Sequence, residues 1–242
     1  MFECFQSLPK LPIIFPPRFR IYIDGYNFYG AINHPTPEWL YGLGWCNFHE
    51  LGRLLIPRTF DVPGGSFQLH SKYFTARVPR ADYPAEQVRQ ELWLKALQPE
   101  LTEPPILGWW RVLPEEERLK AGTPRKEKRT DVNIAIHITK DVLEVKPAGI
   151  VLISGDSDFH PLVDFAAKRG VAFAVFNPQD HGNFRPRFNT PYANKMRCAH
   201  LTRDVLEECS LKRDELWKEH FELKVRHQPE FRRAYEYAKS RK

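Results

Sequence analysis

Short apolar runs that end abruptly in polar side chains recur along the chain. Residues 150–153 (IVLI) precede a small polar turn that carries Asp156 and Asp158, and residues 20–23 (RIYI) lead directly into Asp24. These runs are rich in β-branched residues and too short for helices, so each predicts a buried strand of a parallel sheet. Because ligands bind beyond the carboxyl ends of such strands, the polar turns are the first candidates for a functional site.

The rest of the pattern alternates between strands and helices. Further strands are predicted at 67–78, 106–113 and 171–176, and helices at 83–97, 132–145, 159–169, 201–209, 211–241 and in the second half of 39–56. The stretch 115–129 mixes charges around a Gly-Thr-Pro sequence, which predicts an exposed loop. Strands that alternate with helices indicate one mainly parallel sheet covered on both faces.

Two of the predicted helices are amphipathic. Helix 83–97 has Val88, Leu92 and Leu97 on one side and charges on the other. The side chains of helix 132–145 that share one stripe are Val132, Ala135, Ile136, Val142 and Leu143, and those opposite are Asn133, His137, Lys140 and Glu144. Thr130 or Asp131 is predicted to cap this helix, since both supply a side-chain oxygen for its first amides.

Chain length, charge and cysteine content narrow the choice of domain number, partner and compartment. At 242 residues the chain can form one substantial α/β domain with appendages, or two small domains. Its net charge of +6 and pI near 9.1 favour a polyanionic partner. The four cysteines have neither metal-ligand spacing nor disulfide density, which is typical of a reducing cytosol. The N-terminus is a poor signal peptide and no run approaches the ~18 apolar residues of a membrane span, so we expect a cytoplasmic protein that spans no membrane.

Three separated carboxylates have a common predicted location. Asp24 and Asp156 each follow a strand, and parallel strands place both at the same sheet edge, where the helix opened by Asp131 could also begin. Taken singly, these acids could be turn or capping residues. Gathered together they would repel one another unless a cation lay between them, and Mg²⁺ or Mn²⁺ suits carboxylate oxygens best. One or two such ions would activate water for phosphodiester hydrolysis.

Three blocks of the sequence resemble the signature motifs of NYN domains, a family of PIN-like nucleases. They are residues 23–27 (IDGYN), 128–135 (KRTDVNIA) and 154–162 (SGDSDFHPL). The resemblance implies a Rossmann-like (PIN-like) three-layer α/β/α sandwich, a divalent-metal centre and RNA cleavage. It also implies roles for specific residues: the metal-site acids would be Asp24, Asp131, Asp156 and Asp158, and Asn27 would orient water or substrate.

The resemblance also suggests a domain organisation. It extends over about residues 20–209, which leaves an N-terminal arm at 1–19 and a C-terminal helical extension at 210–242. Two positions depart from the family pattern. His137 stands where many members have an acid, six residues after the equivalent of Asp131, and Arg129-Thr130 replaces a small Gly-Val pair. His137 could carry a proton, although a histidine on the polar side of a helix is usually only solvated.

Two basic segments could hold a nucleic-acid strand across the acidic centre. Their cationic side chains would neutralise phosphates, and interleaved rings could stack on unpaired bases for ~1–3 kcal/mol each. The candidate nucleic-acid-binding residues are Arg125, Lys126, Lys128, Arg129, Arg185, Arg187, Lys195, Arg197, Phe184, Phe188 and Tyr192. A flexible basic loop is the alternative for the second segment, 181–203.

These features predict a hydrolase, a metal-dependent endoribonuclease that cuts single-stranded RNA. The alternative is an RNA-binding or scaffold module that keeps the PIN-like fold without catalysis, which the presence of His137 favours. A nuclease toxin silenced by a partner is a third reading. Haloacid-dehalogenase chemistry is excluded because Tyr26 stands where a second aspartate would be needed, and no glycine-rich nucleotide-cofactor motif is present. The choices between RNA and DNA, one metal and two, and monomer and homodimer stay open.

Overall fold

The computed structural model describes residues 16–32, 45–62, 65–178, 196–211, 215–227 and 232. The strands of its main sheet are β1 (Arg18–Asp24), β2 (Gln68–Thr75), β3 (Ile106–Leu107), β6 (Gly149–Ile153), β7 (Ala172–Asn177) and β8 (Met196–His200), and a separate hairpin pairs β4 (Trp109–Val112) with β5 (Arg125–Lys128). The helices are α1 (Gly25–Ile32), α2 (Phe48–Thr59), α3 (Pro84–Leu97), α4 (Glu115–Ala121), α5 (Thr130–Lys140), α6 (His160–Lys168), α7 (Arg203–Glu208) and α8 (Glu215–His227). None of these described helices is long and apolar enough to cross a membrane.

The six-stranded sheet has the order β3-β2-β1-β6-β7-β8, and every neighbouring pair is parallel. This confirms the predicted α/β fold with a mainly parallel central sheet. The chain winds outward from β1 in one direction through β2 and β3, then crosses back to β6 and winds the other way. The strand order therefore reverses between β1 and β6, and a crevice opens beyond the carboxyl ends of strands at such a switch point.

Helices cover both faces of the sheet, because successive side chains of each strand point to opposite sides. Ile21 and Ile23 of β1 pack into one buried cluster with α2, α3 and α7. Tyr22, between them, packs into a second cluster with α5 and α6. The predicted three-layer α/β/α arrangement is thus observed.

The stretch from 106 to 129 differs from the prediction of one strand followed by an exposed loop. Only Ile106 and Leu107 join the main sheet, and β4 turns away to pair antiparallel with β5. Helix α4 and Gly122, whose φ of 65° ends that helix in a left-handed turn, connect the two hairpin strands. The sequence of β5, Arg-Lys-Glu-Lys, has low β-propensity, which is why its pattern indicated a loop.

Helix α5 buries a different face from the one predicted. Thr130, Ile134 and Ile138 are buried, and Val142 is buried in the π-helical turn that follows. Val132 and Ile136, by contrast, are each 58% exposed. The predicted cap is also wrong: Arg129, with φ of 80°, occupies the N-cap position and its side chain makes no capping hydrogen bond. In α3, Val88 is likewise exposed, and the polar residues Gln87 and Arg89 are buried instead.

Candidate carboxylate centre at the strand switch point

Asp24 and Ser154 occupy equivalent places on the two strands that flank the switch point. The register pairs Ile23 with Ile153, so Asp24 and Ser154 are the next residues along β1 and β6. Asp24 is only 3% exposed. Its Oδ2 accepts a 2.9 Å hydrogen bond from the Ser154 hydroxyl, and its Oδ1 accepts one of 3.1 Å from the backbone N–H of Asn27. The carboxylate is therefore held in one orientation at the sheet edge.

Asn27 links the first motif to the third. Its Oδ1 accepts a 2.8 Å hydrogen bond from the backbone N–H of Gly155. A Cβ on Gly155 would lie 2.7 Å from Oδ1 of Asn177 and 3.3 Å from Oδ1 of Asn27, so only glycine fits there. Asn177 ends β7, is 2% exposed and was missed by the sequence reasoning. A polar residue directly after an apolar strand, as at Asp24, was the signal that could have found it.

Asp156 and Asp158 lie in the turn after β6 and are more exposed than Asp24. The backbone N–H of Asp156 donates to the Ser154 hydroxyl at 3.1 Å, and Oδ1 of Asp156 accepts a 2.9 Å hydrogen bond from the N–H of Asp158. Asp156 is thus the cap of the short helical turn Ser157–Phe159. One of its oxygens fixes the turn, which leaves the other oxygen for a ligand.

The charges of these acids raise one another's pKa. Burial raises the pKa of Asp24 from 3.8 to about 6, against the hydrogen bonds from Asn27 and Ser154 and together with the charges of Asp131 and Asp156. Burial also raises the pKa of Asp131, as do the charges of Glu127, Asp156 and Asp158. Carboxylates from both sides of the switch point and from the start of α5 therefore repel one another.

Glu127 is a further acid at this edge that the sequence reasoning missed. It lies on β5, which was expected to be a loop, and its Oε1 accepts hydrogen bonds from the hydroxyl and the backbone N–H of Thr130. These bonds hold the start of α5 against the hairpin and bring the charge of Glu127 close to Asp131. No strand pattern in the sequence pointed to this position.

The acids fit a divalent cation by their chemistry. Neighbouring carboxylates raise one another's pKa, and Mg²⁺ or Mn²⁺, which prefer oxygen ligands, would stabilise their charged forms. As the described side chains stand, however, no three His, Cys, Asp or Glu residues are grouped closely enough to hold an ion. The acids that could contribute oxygen ligands to a cation here are Asp24, Asp131, Asp156 and Asp158, of which Asp131 and Asp158 are exposed.

His137 belongs to a different polar cluster. Its Nδ1 lies 3.4 Å from Nζ of Lys72, and its ring packs edge-on against Phe74. Burial and the charge of Lys72 lower its pKa. Lys72 in turn pairs with Asp141 at 3.1 Å. Position 137, where many members of the family have an acid, thus holds a histidine that faces Lys72, and it contributes no carboxylate to the centre.

The predicted nucleic-acid-binding cations that the structure describes lie in two places, on and after β5 and early in β8. Lys126, Lys128 and Arg129 are exposed near Asp131, and the guanidinium of Arg129 lies 5.2 Å from the centre of the Trp109 ring. The guanidinium of Arg125 is already paired with Asp82. Arg197 lies early in β8, three strands from β1 and below the carboxyl edge. Six other candidates lie outside the described residues: Phe184, Arg185, Arg187, Phe188, Tyr192 and Lys195.

Beside the acids, a cavity of about 690 Å³ lies between α1, α3 and the β4–β5 hairpin. Gly25, which follows Asp24, and Glu127 are both part of its wall. Aromatic rings form much of the remainder: Tyr26, Tyr29, Tyr73, Tyr83, Trp93 and Trp110. The four aspartates do not line it, so this cavity is a neighbour of the carboxylate centre and not a part of it.

Three comparisons with known proteins show what this chain resembles. The chain is 28% identical over 223 residues to 6-hydroxy-3-succinoylpyridine 3-monooxygenase HspA of Pseudomonas putida, an alignment that spans 82% of this chain and 71% of that protein. A crystal structure of a protein of unknown function from Vibrio parahaemolyticus superposes with a TM-score of 0.48 at 14% identity, over 80% of this chain and 98% of the other. The model of the NYN domain matches residues 110–193, which include Asp131, Asp156 and Asp158. Residues 110–193 thus match the NYN domain, a PIN-like nuclease family, which the motifs at 128–135 and 154–162 indicated.

Proposed function

We propose that this protein is a divalent-metal-dependent ribonuclease that hydrolyses phosphodiester bonds of single-stranded RNA. The observation that carries the proposal is the placement of Asp24 and the Ser154–Asp156 turn on adjacent parallel strands at the switch point, within the electrostatic reach of Asp131. The match to a nuclease family over residues 110–193 supports it. Mg²⁺ or Mn²⁺ would be held by Asp24, Asp131, Asp156 and Asp158.

The roles of the protein groups follow from their contacts. A bound cation would supply Lewis-acid activation of water and charge stabilisation at the phosphate. Ser154 and the N–H of Asn27 fix the orientation of the Asp24 carboxylate, and the Asn27 side chain fixes Gly155 so that Asp156 faces the same edge. The exposed Lys128 and Arg129 border Asp131 and would attract the RNA backbone, which predicts salt-sensitive binding.

A cleavage assay with matched variants tests the proposal. Labelled single-stranded RNA and DNA of the same sequence are incubated with Mn²⁺, Mg²⁺ or EDTA. Asp24→Asn and Asp156→Asn should each reduce cleavage at least ~100-fold, on the scale of losing a principal catalytic group. Asp61→Asn, which changes an exposed acid after α2, is the control and should cleave normally. Undiminished cleavage by both site variants would overturn the proposal.

The same assay addresses the non-catalytic alternative. An RNA-binding or scaffold module would retain labelled RNA in a gel-shift experiment and would show no metal-dependent product. The histidine at position 137 favours this alternative, because it stands where many family members have an acid and lies beside Lys72. Retention that is equal in wild type and in Asp156→Asn, with no cleavage in either, would establish it.

The relative from Pseudomonas putida supports a second candidate function, oxygenation of a heteroaromatic compound. That protein is named as a monooxygenase of a pyridine derivative, and its alignment covers more of this chain than the NYN match does. The aromatic cavity beside Gly25 offers a place for such a substrate. Oxygen uptake in the presence of a reduced nicotinamide, a flavin and a hydroxypyridine would support this candidate, and RNA cleavage without oxygen uptake would exclude it.

A further inference from the structure

The cavity between α1, α3 and the β4–β5 hairpin contains a buried cation whose hydrogen bonds are incomplete. Arg89 lines the cavity and is only 2% exposed. One terminal nitrogen, Nη2, pairs with Oε1 of Glu86 at 3.2 Å, one turn earlier on α3, and the Arg89 side chain also hydrogen-bonds with Tyr29. Its Nε and Nη1 make no hydrogen bond within the described part of the chain. Leaving charged donors buried without acceptors is costly, so an acceptor from outside the described residues would be bound favourably here.

A second donor at the same cavity lacks an acceptor. Nε1 of Trp110 is buried and makes no hydrogen bond to any described residue. Gln90, by contrast, has both ends of its amide engaged, because its Oε1 accepts from the N–H of Val78 and its Nε2 donates to the carbonyl of Ala76. Arg89 and Trp110 thus each present to this cavity a buried N–H group that has no acceptor among the described residues.

The rest of the wall is suited to a flat ring. The rings of Tyr26 and Trp110 meet edge to face with centroids 5.6 Å apart, and Tyr83 is held by a 2.9 Å hydrogen bond between its hydroxyl and Thr123. A volume of about 690 Å³ is typical of small-molecule sites. Aromatic side chains bind planar rings through stacking and edge contacts, and their few rotatable bonds keep the pocket open.

We propose that this cavity binds a planar heteroaromatic ring that carries a carboxylate or carbonyl oxygen. The ring would lie among Tyr26, Tyr83 and Trp110, and the oxygen would accept hydrogen bonds from Nε and Nη1 of Arg89. Arginine presents two parallel N–H groups to such an oxygen pair, which gives orientation as well as affinity. The ring belongs either to a free heteroaromatic acid or to the base of a nucleotide. This site goes beyond the phosphodiester chemistry proposed above, since none of the four aspartates lines it, and for a free heteroaromatic acid it deepens the second candidate function, which uses the same cavity.

Isothermal titration calorimetry with two probes tests the assignment. Pyridine-3-carboxylate represents the free acid and uridine 5′-monophosphate represents the nucleotide. At least one should bind the full-length protein saturably, and Arg89→Met should weaken that binding about tenfold or more, the loss expected for hydrogen bonds to a charged group. Trp110→Phe should weaken binding of the probe several-fold, and it is the variant to use if Arg89→Met does not fold. Arg53→Met, an exposed position on α2, is the matched control and should leave binding unchanged.

The relative affinities of the two probes show whether a free acid or a nucleotide supplies the ring. The Asp156→Asn variant separates this cavity site from the proposed nuclease activity. Tighter binding of pyridine-3-carboxylate identifies a small-molecule site, and tighter binding of the nucleotide identifies a base-binding site next to the carboxylates. Either result supports the proposal. Saturable binding by neither probe, or equal affinity in wild type, Arg89→Met and Trp110→Phe, overturns it. Asp156→Asn should bind the probe normally, so the loss of RNA cleavage in that variant leaves this inference standing.

Discussion

The hydroxyl of Ser154 donates a 2.9 Å hydrogen bond to Oδ2 of Asp24, across the boundary at which the sheet reverses its winding direction. The same hydroxyl oxygen accepts from the N–H of Asp156 at 3.1 Å. One buried side chain therefore sets the spacing between the acid that ends β1 and the acid that follows β6. Ser154 is therefore a positioning residue of the candidate carboxylate centre.

Replacing Ser154 with alanine should raise the pKa of Asp24 further. The hydrogen bond from Ser154 is one of the contacts that lower this pKa, against the larger effect of burial. Carbon-detected NMR of the Asp24 carboxyl group would measure the change. The variant should also lose about 1–3 kcal/mol of unfolding free energy, because a buried acceptor and the Asp156 amide lose their partner. Ser157→Ala, at an exposed position, should change neither quantity.

Ionisation of Asp24 should destabilise the metal-free protein. Because the pKa is raised from 3.8 to about 6 in the fold, the stability linked to protonated Asp24 is fully present below pH 3.8 and is lost as the pH rises through about 6. Asp24→Asn, which cannot ionise, should avoid this loss and gain roughly 2–3 kcal/mol relative to wild type between pH 4 and pH 7.5.

Urea unfolding in EDTA at several pH values measures this difference. A stability gap between Asp24→Asn and wild type that does not change with pH would contradict the raised pKa. Addition of Mn²⁺ at pH 7.5 should stabilise wild type more than the variant, because a cation that binds only the folded state adds to its stability.

The sequence predicted the parts of this architecture that depend on local pattern. Buried strands such as β6 and β7 are continuous apolar runs bounded by turns, and the parallel pairing of β1 with β6 puts Asp24 at the same sheet edge as the turn that carries Asp156, as expected. The β4–β5 hairpin was not predictable, because Arg125–Lys128 pairs only through contacts with a distant strand. The buried face of α5 was also ambiguous, since apolar residues occur on all of its sides and tertiary packing chooses among them.

Gly25 and Gly30, in the same helix, should respond oppositely to alanine. A Cβ on Gly25 would lie 2.3 Å from the Tyr73 ring and 2.6 Å from the carbonyl oxygen of Phe74, whereas a Cβ on Gly30 would meet nothing within 4 Å. Gly25→Ala should therefore cost about 1–3 kcal/mol of stability through overpacking. Gly30→Ala should gain about 0.5–1 kcal/mol, since glycine weakens a helix interior. Equal effects in thermal denaturation would contradict the close approach at Gly25.

Asp141 should dominate the acid sensitivity of the fold outside the carboxylate centre. It accepts a hydrogen bond from Tyr22 and pairs with Lys72 at 3.1 Å and Arg20 at 3.4 Å. Burial alone would raise its pKa, but these partners together lower it below 3.8. The stability they confer is therefore full above pH 3.8 and is lost as the pH falls through the lowered pKa.

Asp141→Asn should cost about 2–3 kcal/mol at pH 7, because it leaves buried cations without their main counter-charge. Chemical unfolding at a series of pH values should show the deficit of the variant shrinking below pH 3.8. Asp164→Asn, on α6, has no salt bridge among the described residues and provides the control. A deficit that stays constant down to pH 2 would show that the carboxyl charge is not the cause.

Ile134 and Ile136 of α5 provide a direct test of which helix face is buried. Ile134 is fully buried with Ile138 and Phe159, whereas Ile136 is 58% exposed. Ile134→Ala should cost about 2–5 kcal/mol of unfolding free energy, as expected for a large-to-small change in a core. Ile136→Ala should stay within about 0.5 kcal/mol of wild type, as is usual for surface positions. Because Asp131 lies in the first turn of the helix, a repacked α5 in Ile134→Ala should also reduce the proposed RNA cleavage, while Ile136→Ala should cleave normally. The reverse order of stabilities would restore the face that the sequence pattern predicted and would move Asp131 away from the strand switch point.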